Sequence, residues 1–354
     1  MLNKEFLETL TPVEIQMVHQ YINILFKDRI TETTGNYENL EGTMEVCPYC
    51  GSRHIVRNGH SKRTGRQKYL CKDCKEDFCA TTNTFFSHSR TGYHTWITFI
   101  ACEIVGLPLR DEAQIIGKSV TTCFNMRHRL HDALRDYQEK QKLEGLCEID
   151  AVYTSINLKG RRHDMPRFAK KRGKHKPDPK HPSLRGISHH KICMITSIDE
   201  LDHILFKIAG LGPETFDMYN AYGSSFQKGS LLVSDDRSCI RSFAKRNGLL
   251  SDIIPSGSFT SDLGNTLASL NQLHQSFSEM IRKKHGVGTR HLQGYIDWLV
   301  MTKQMRYRIE SKKMNTQIYM DIMRIPSSFT TDGINKLPMP VDIHEAYKEY
   351  ALPA

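Results

Sequence analysis

Two aspartates stand at the ends of short apolar runs, Leu146-Cys147-Glu148-Ile149-Asp150 and Leu231-Leu232-Val233-Ser234-Asp235. Each run reads as a short buried strand that delivers a carboxylate to its C-terminal edge. Asn271 follows in LNQLHQSFSEMIRKKHG, where Leu270, Leu273, Phe277, Met280 and Ile281 fall at three- and four-residue steps, the spacing of an amphipathic helix. Two carboxylates and a third oxygen ligand can thus converge on one site, which is what a pair of hard divalent cations needs for phosphoryl transfer. Paired acids in a core also serve as helix caps and ion-pair members, so spacing alone leaves both roles open.

A second set with chemical spacing is Cys47-Pro48-Tyr49-Cys50 and Cys71-Lys72-Asp73-Cys74, two C-x₂-C pairs separated by twenty residues. Four thiolates at that spacing close a tetrahedral Zn²⁺ site of the zinc-ribbon kind and leave no open position for a substrate water, so the expected metal is structural. It replaces a core too small to hold the module alone. Between the pairs, Arg53, Arg57, Lys62, Arg63, Arg66 and Lys68 sit among His54, His60 and Tyr69, a basic hairpin suited to phosphates. Arg57, Arg66 and Lys68 are its candidate DNA contacts, and charge alone fits a solvated hairpin equally well.

Several elements must position these sets. Thr11-Pro12-Val13-Glu14 supplies an N-cap, a Pro at the first helical position and a first-turn acid; Ile15, Val18, Ile22 and Leu25 then form one stripe, and residues 31–43 read as linker. Tyr93 to Leu107 is helical through Trp96, Ile97, Ile100, Ile104 and Leu107. Leu109–Ile116, the turn Gly117-Lys118-Ser119 and the helix from Val120 to Leu134 follow as a helix-turn-helix, with Thr121, Thr122, Asn125, Arg127 and His128 available to a major groove. A trihelical packing domain is the alternative. After Asp150, VYTSINL reads as a second strand; KICMITSI and HILFKI are strands joined at Asp199-Glu200, and RSFAKRNGL is a helix closed by Asn247-Gly248. Leu292, Tyr295, Ile296, Trp298 and Leu299 mark a last amphipathic helix, and residues 310–354 carry little periodicity.

The chain of 354 residues has 39% hydrophobic content and net charge +10, with a pI near 9.0 and a mean hydropathy of -0.48. It is long enough for two or three domains with real cores. No apolar run reaches the length of a membrane span, and MLNKEFLETL does not read as a signal peptide, so no membrane role and a cytoplasmic location are expected. Ten cysteines suit a disulfide scaffold only in a small secreted protein. Lys159 to Lys191 holds twelve Lys or Arg against Asp164 and Asp178, which accounts for the whole net charge. With Pro166, Pro177, Pro179 and Pro182 it reads as an exposed arm, its Lys170, Lys171 and Arg172 directed at DNA phosphates.

CPYCGSRHIVRNGHSKRTGRQKYLCKDC, GLPLRDEAQIIGKSVTTCFNMRHRL, CEID, KIAGLG, LLVSDD, FAKRNGL and LNQLHQSF…HGVGTRHLQGYIDW, in that order from Cys47 to Arg308, resemble the zinc-ribbon transposases of bacterial insertion sequences, family fifteen-ninety-five. The resemblance implies a multidomain α/β protein: helix and linker at 1–43, zinc ribbon at 44–90, helix-turn-helix at 91–140, a ribonuclease H-like mixed α/β core at 141–308 with its basic arm at 159–191, and a tail at 309–354. It implies Asp150 and Asp235 as the first two catalytic acids and magnesium ligands, with Asn271 in the third position, where related enzymes mostly carry Glu. The family's Lys or Arg seven residues on is Ser278 here. The implied cofactors are structural Zn²⁺ and catalytic Mg²⁺ or Mn²⁺. The implied partners are double-stranded DNA, as the element's terminal inverted repeats and target, and further copies of the chain on that DNA in the bacterial nucleoid. The alternative from the same features is a DNA-binding regulator with a catalytically inactive core.

Overall fold

The computed structural model describes residues 8–34, 44–159 and 191–309 apart from 63, 64, 88 and 90, together with 322, 325, 333, 336 and 337–346. The basic arm, with Lys170, Lys171 and Arg172, lies outside the described residues. The chain forms two compact units, one of residues 1–133 with 305–331 and one of residues 134–304 with 332–354.

In the first unit, α1 (Pro12–Thr34) opens with a reciprocal cap. The Glu14 carboxylate accepts from the Thr11 backbone N–H at 2.8 Å, and Thr11 Oγ1 accepts from the Glu14 N–H at 3.4 Å. The helix continues into the expected linker because no Gly or Pro interrupts it before Gly35. Ile15, Ile22 and Leu25 of its stripe are exposed. Strands β1 (Ile55–His60), β2 (Gln67–Cys71) and β3 (Asp77–Phe78) form an antiparallel sheet over a small core of Cys47, Tyr69, Cys71 and Phe78.

Helices α2 (Tyr93–Val105), α3 (Leu109–Ile116) and α4 (Val120–Ala133) follow. Trp96 on α2 meets Phe85, Phe86 and Phe99 edge-on, with ring centroids 5.1, 6.2 and 5.8 Å away. Gly117 ends α3 at φ 65°, a left-handed turn that favours glycine, and Ser119 Oγ then accepts from the Thr122 N–H at 3.1 Å to start α4. Arg127 and His128, expected to be available to a major groove, are buried, 2% and 5% exposed. Helical spacing sets Arg127 on the face of Cys123 and Leu130, and its guanidinium donates to Glu103 on α2 and, at 2.8 Å, to Glu112 on α3. The arginine expected to touch DNA instead ties three helices together.

The second unit is built on a five-stranded sheet in the order β6-β5-β4-β7-β8. Its strands are β4 (Leu146–Ser155), β5 (Lys191–Asp199), β6 (Ile204–Leu211), β7 (Leu231–Asp235) and β8 (Leu250–Ile254). The β4–β5–β6 ladder is antiparallel, while β4–β7–β8 is parallel. On one face, Cys147, Ile149, Cys193, Ile195 and Leu232 pack with residues of α5 (Phe216–Asn220) and α6 (Ser238–Asn247). On the other, Ile192, Met194, Ile198 and Phe206 pack with α7 (Ala268–Lys283) and α8 (Leu292–Ile309). Val341 and Ile343, the latter opening α9 (Ile343–Ala346), join that second core, so part of the weakly periodic tail is structural. No helix among the described residues is long and apolar enough to cross a membrane.

Two buried charges in these cores have measurable consequences. Arg127→Ala removes the buried guanidinium that two buried carboxylates share, a loss that costs about 3–5 kcal/mol. Thermal unfolding should show a midpoint many degrees lower, whereas a groove contact would leave the midpoint in place and weaken DNA binding only. In the other unit, Asp297 on α8 is 1% exposed and accepts from Gln138 Nε2 at 2.7 Å and Gln293 Nε2 at 3.0 Å. Burial pushes its carboxyl up to about 7, against the pull of Lys207 and the two amides. The native state therefore holds a proton that the unfolded chain releases near pH 4, and stability falls as pH rises from about 4 to about 7. Asp297→Asn keeps both hydrogen bonds and should flatten that slope in denaturant titrations; an unchanged slope would assign it elsewhere.

Candidate functional site

β7 pairs with β4 in parallel, with Glu148 opposite Val233. Asp150 and Asp235 each follow that pair by two residues. Strand alternation turns Glu148, Asp150, Val233 and Asp235 to one face, the face against which α7 packs. Asp235 is the last residue of β7. Asp150 is in the interior of β4: pairing with β5 continues unbroken to Ser155, so the apolar run and VYTSINL are one strand and not two. β4 can outrun β7 because β5 still satisfies one of its edges.

Glu148 determines where α7 begins. Its buried carboxylate accepts from the backbone N–H groups of Ser269 at 3.3 Å and Leu270 at 2.8 Å, in the first turn of the helix. An anion at that position satisfies donors that a helix end leaves orphaned and lies at the positive end of the helix dipole. Asn271 is the next residue, exposed on a helix whose start is pinned to the strand that carries Asp150. Asp235 is also exposed and Asp150 is half-buried. Burial pushes the Asp150 carboxyl up to about 6; the Ala151 N–H opposes this, the charges of Asp235 and Glu214 add to it, and Arg237 opposes it. A cation at these oxygens would relieve that unfavourable ionisation, so the donor set fits a divalent metal.

One turn along α7, His274 closes a relay to the same strand. Thr196 Oγ1 donates its proton to the Asp150 carbonyl at 2.9 Å and so must accept from His274 Nε2 at 2.7 Å. Burial draws His274 down to about 4, which leaves the ring neutral at pH 7. The neighbouring acids have other partners: Asp236 accepts from Arg241 at 2.7 Å and Glu279 from Gln275 at 3.3 Å. Sequence reasoning missed Glu148 as a cap, and missed Thr196 and His274 entirely. The available signals were the two-residue step from Glu148 to Asp150 and the three-residue step from Asn271 to His274.

In the first unit, ligand atoms of Cys47, Cys50, Cys71 and Cys74 all lie within 4.8 Å of one another, a cluster that fits a zinc ribbon. Two of the sulfur pairs, Cys47 with Cys74 and Cys50 with Cys71, stand at 3.6 Å. Thiolates about 2.3 Å from one tetrahedral zinc are spaced about 3.8 Å apart, so this cluster fits the ion and is far too open for disulfides. The Cys74 backbone N–H, with help from Asp73 and the adjoining sulfurs, draws Cys71 down to about 6. Cys74 has the Glu76 N–H in its favour, yet burial and the other three sulfurs push it up to about 12. Four thiols crowded this closely cannot all ionise without a cation among them.

The basic residues divide into held and open. Arg66 donates to Thr81 at 3.1 Å and lies over the Phe86 ring at 5.0 Å, and Lys68 pairs with Asp77 at 2.8 Å. Arg57 is exposed on β1. Around the start of α4, Lys118, Ser119, Val120, Thr121 and Phe124 are exposed.

No protein-family model matches the chain. A stretch of 124 residues is 34% identical to an uncharacterized protein in transposable element ISH50 of Halobacterium salinarum (strain ATCC 700922 / JCM 11081 / NRC-1), covering 34% of this chain and 40% of that protein. The match thus spans well under half of that relative's length. Among solved structures, a pre-cleavage Mos1 transpososome aligns over 76% of this chain and 82% of its own at 9% identity, with a TM-score of 0.24. The Mos1 mariner paired end complex with Mn aligns over 74% and 80% at 11% identity, also with a TM-score of 0.24. Those scores are too low to establish a shared fold.

Proposed function

We propose that this protein is a transposase of the DDE type that binds the ends of its own insertion sequence and cuts and joins DNA strands there. The observation that carries the reading is the register of two adjacent parallel strands, which pairs Glu148 with Val233 two residues before Asp150 and Asp235, on the face where Glu148 anchors the helix bearing Asn271. A partial relative within a transposable element supports the same reading. Mg²⁺ or Mn²⁺ held by Asp150 and Asp235, with the Asn271 amide, would supply Lewis acidity at the phosphate and lower the pKa of the attacking hydroxyl. The protein's own contribution is placement: Glu148 fixes the helix, Thr196 and His274 fix the Asp150 backbone, and exposure of Asp235 and Asn271 leaves the site open to a duplex. Zn²⁺ on Cys47, Cys50, Cys71 and Cys74 keeps the ribbon folded, so that Arg57 and its neighbours, together with the exposed start of α4, can engage the ends.

Asn271 and Ser278 favour a second reading, a DNA-binding regulator, because a neutral amide binds a cation more weakly than Glu and Ser278 brings no charge. The two readings part at the metal. Purified protein should cut duplexes carrying the terminal repeats found beside its gene when Mg²⁺ or Mn²⁺ is supplied. Asp150→Asn or Asp235→Asn should abolish cutting while end affinity stays nearly unchanged. Wild-type protein that binds ends and cuts with neither metal decides for the regulator. Zinc analysis should return about one ion per chain. Cys71→Ser should release that ion and weaken end binding, while unfolding of the five-stranded unit stays unchanged; a variant that keeps its zinc would refute the four-sulfur site.

A further inference from the structure

Two residues past Asp235, the Arg237 backbone N–H donates to the Asp235 carbonyl at 2.8 Å. Its side chain is held by Glu214, with Nε 3.4 Å from Oε1. Glu214 is fixed in turn by Tyr153, three residues beyond Asp150 on β4: the Tyr153 hydroxyl donates to Glu214 Oε2 and lies 3.2 Å from the Glu214 backbone N–H. The acid's side chain is only 6% exposed, whereas that of Arg237 is 55% exposed. Apart from the contact through Nε, the guanidinium has no hydrogen bond among the described residues. An ordinary surface ion pair leaves both partners in water and free to move, and contributes little. Here a buried, doubly anchored acid holds an open guanidinium two residues beyond Asp235, and the charge of Arg237 acts on Asp150.

Two acids at a site for a polyanion need a positive group that addresses the anion itself, and a preorganised guanidinium matches phosphate oxygens in charge and in geometry. We propose that Arg237 donates hydrogen bonds to the non-bridging oxygens of the phosphodiester cut at Asp150 and Asp235, with Glu214 and Tyr153 as positioning residues. The inference rests on the transposase reading. No proton moves and no bond to Arg237 forms; it stabilises charge that grows on the phosphate as the strand breaks.

The test uses the full chain, terminal-repeat duplexes and single-turnover cutting. At saturating protein, Arg237→Ala should slow cutting by about 100-fold, the scale of one lost transition-state donor, with end affinity about tenfold lower, the same loss as removing the charge of the phosphate it contacts. Arg237→Lys should recover part of the rate. Cutting by Arg237→Ala within about threefold of wild type overturns the inference and leaves the transposase reading standing. A merely structural arginine is excluded by a single methylphosphonate, which removes one phosphate's charge, walked along the duplex in binding assays. At one position it should weaken wild type about tenfold, Glu214→Gln less, and Arg237→Ala not at all. Equal sensitivity of all three proteins at every position overturns the inference. If wild type cuts nothing, the transposase reading fails and the methylphosphonate pattern alone decides whether Arg237 contacts a phosphate.

Discussion

A carboxylate buried at the start of a helix determines the geometry of the sheet unit. Glu148 lies on the strand that carries Asp150, two residues earlier and on the same face, and its oxygens take the N–H groups of Ser269 and Leu270. Without those donors the acid would be an uncompensated charge in a core; without the acid, the first turn of α7 would leave its own donors unsatisfied under the sheet. Each cost is removed by the other group. The bond therefore sets the depth at which Leu270, Leu273 and Phe277 enter the core, and with them the place of Asn271 and His274.

The parallel half of the sheet depends on that arrangement. β7 is only five residues long and is paired on both sides, by β4 and by β8. Its length ends the ladder at Asp235, where the chain turns into α6 and presents Arg237. β4 is twice as long because β5 accompanies it to Ser155. The step between a long strand and a short one leaves room at the end of the sheet, where Asp235 closes β7 and Asp150 lies two residues past the last β4–β7 pair.

Much of this was legible in the sequence, and the failures are physical. The apolar runs ending in Asp150 and Asp235, the helix through Leu270 to Ile281 and the Asn247-Gly248 stop follow from local periodicity and turn chemistry, which need no knowledge of partners. Gly248 takes φ 67°, as that stop requires. Strand β8 was missed because Leu250 to Ile254 places two polar residues before its apolar pair, and its stability comes from pairing with β7. The length of β4 was misjudged for a related reason: an acid ending an apolar run looks like a strand end unless the neighbouring strand is known. Arg127 shows the limit most clearly. A basic residue on the last helix of a helix-turn-helix reads as a DNA contact, and nothing local reveals that Glu103 and Glu112, far back in the sequence, are buried against it.

The same limit governs the charge balance of the candidate site. Ser278 lies one turn beyond His274 on α7, and its hydroxyl donates to its own helix at the His274 carbonyl, 2.9 Å away. That helix face therefore contributes an amide and a neutral imidazole but no cation. Positive charge reaches Asp150 from the turn after β7, where Arg237 pairs with Glu214, an acid three residues beyond the edge strand β6. Glu214 and Arg237 are far apart in sequence and neither lies in a recognisable spacing. Only the strand order, which brings the ends of β4, β6 and β7 to one edge, makes them neighbours. The end of the sheet, and not any single segment, is what gathers these charged groups.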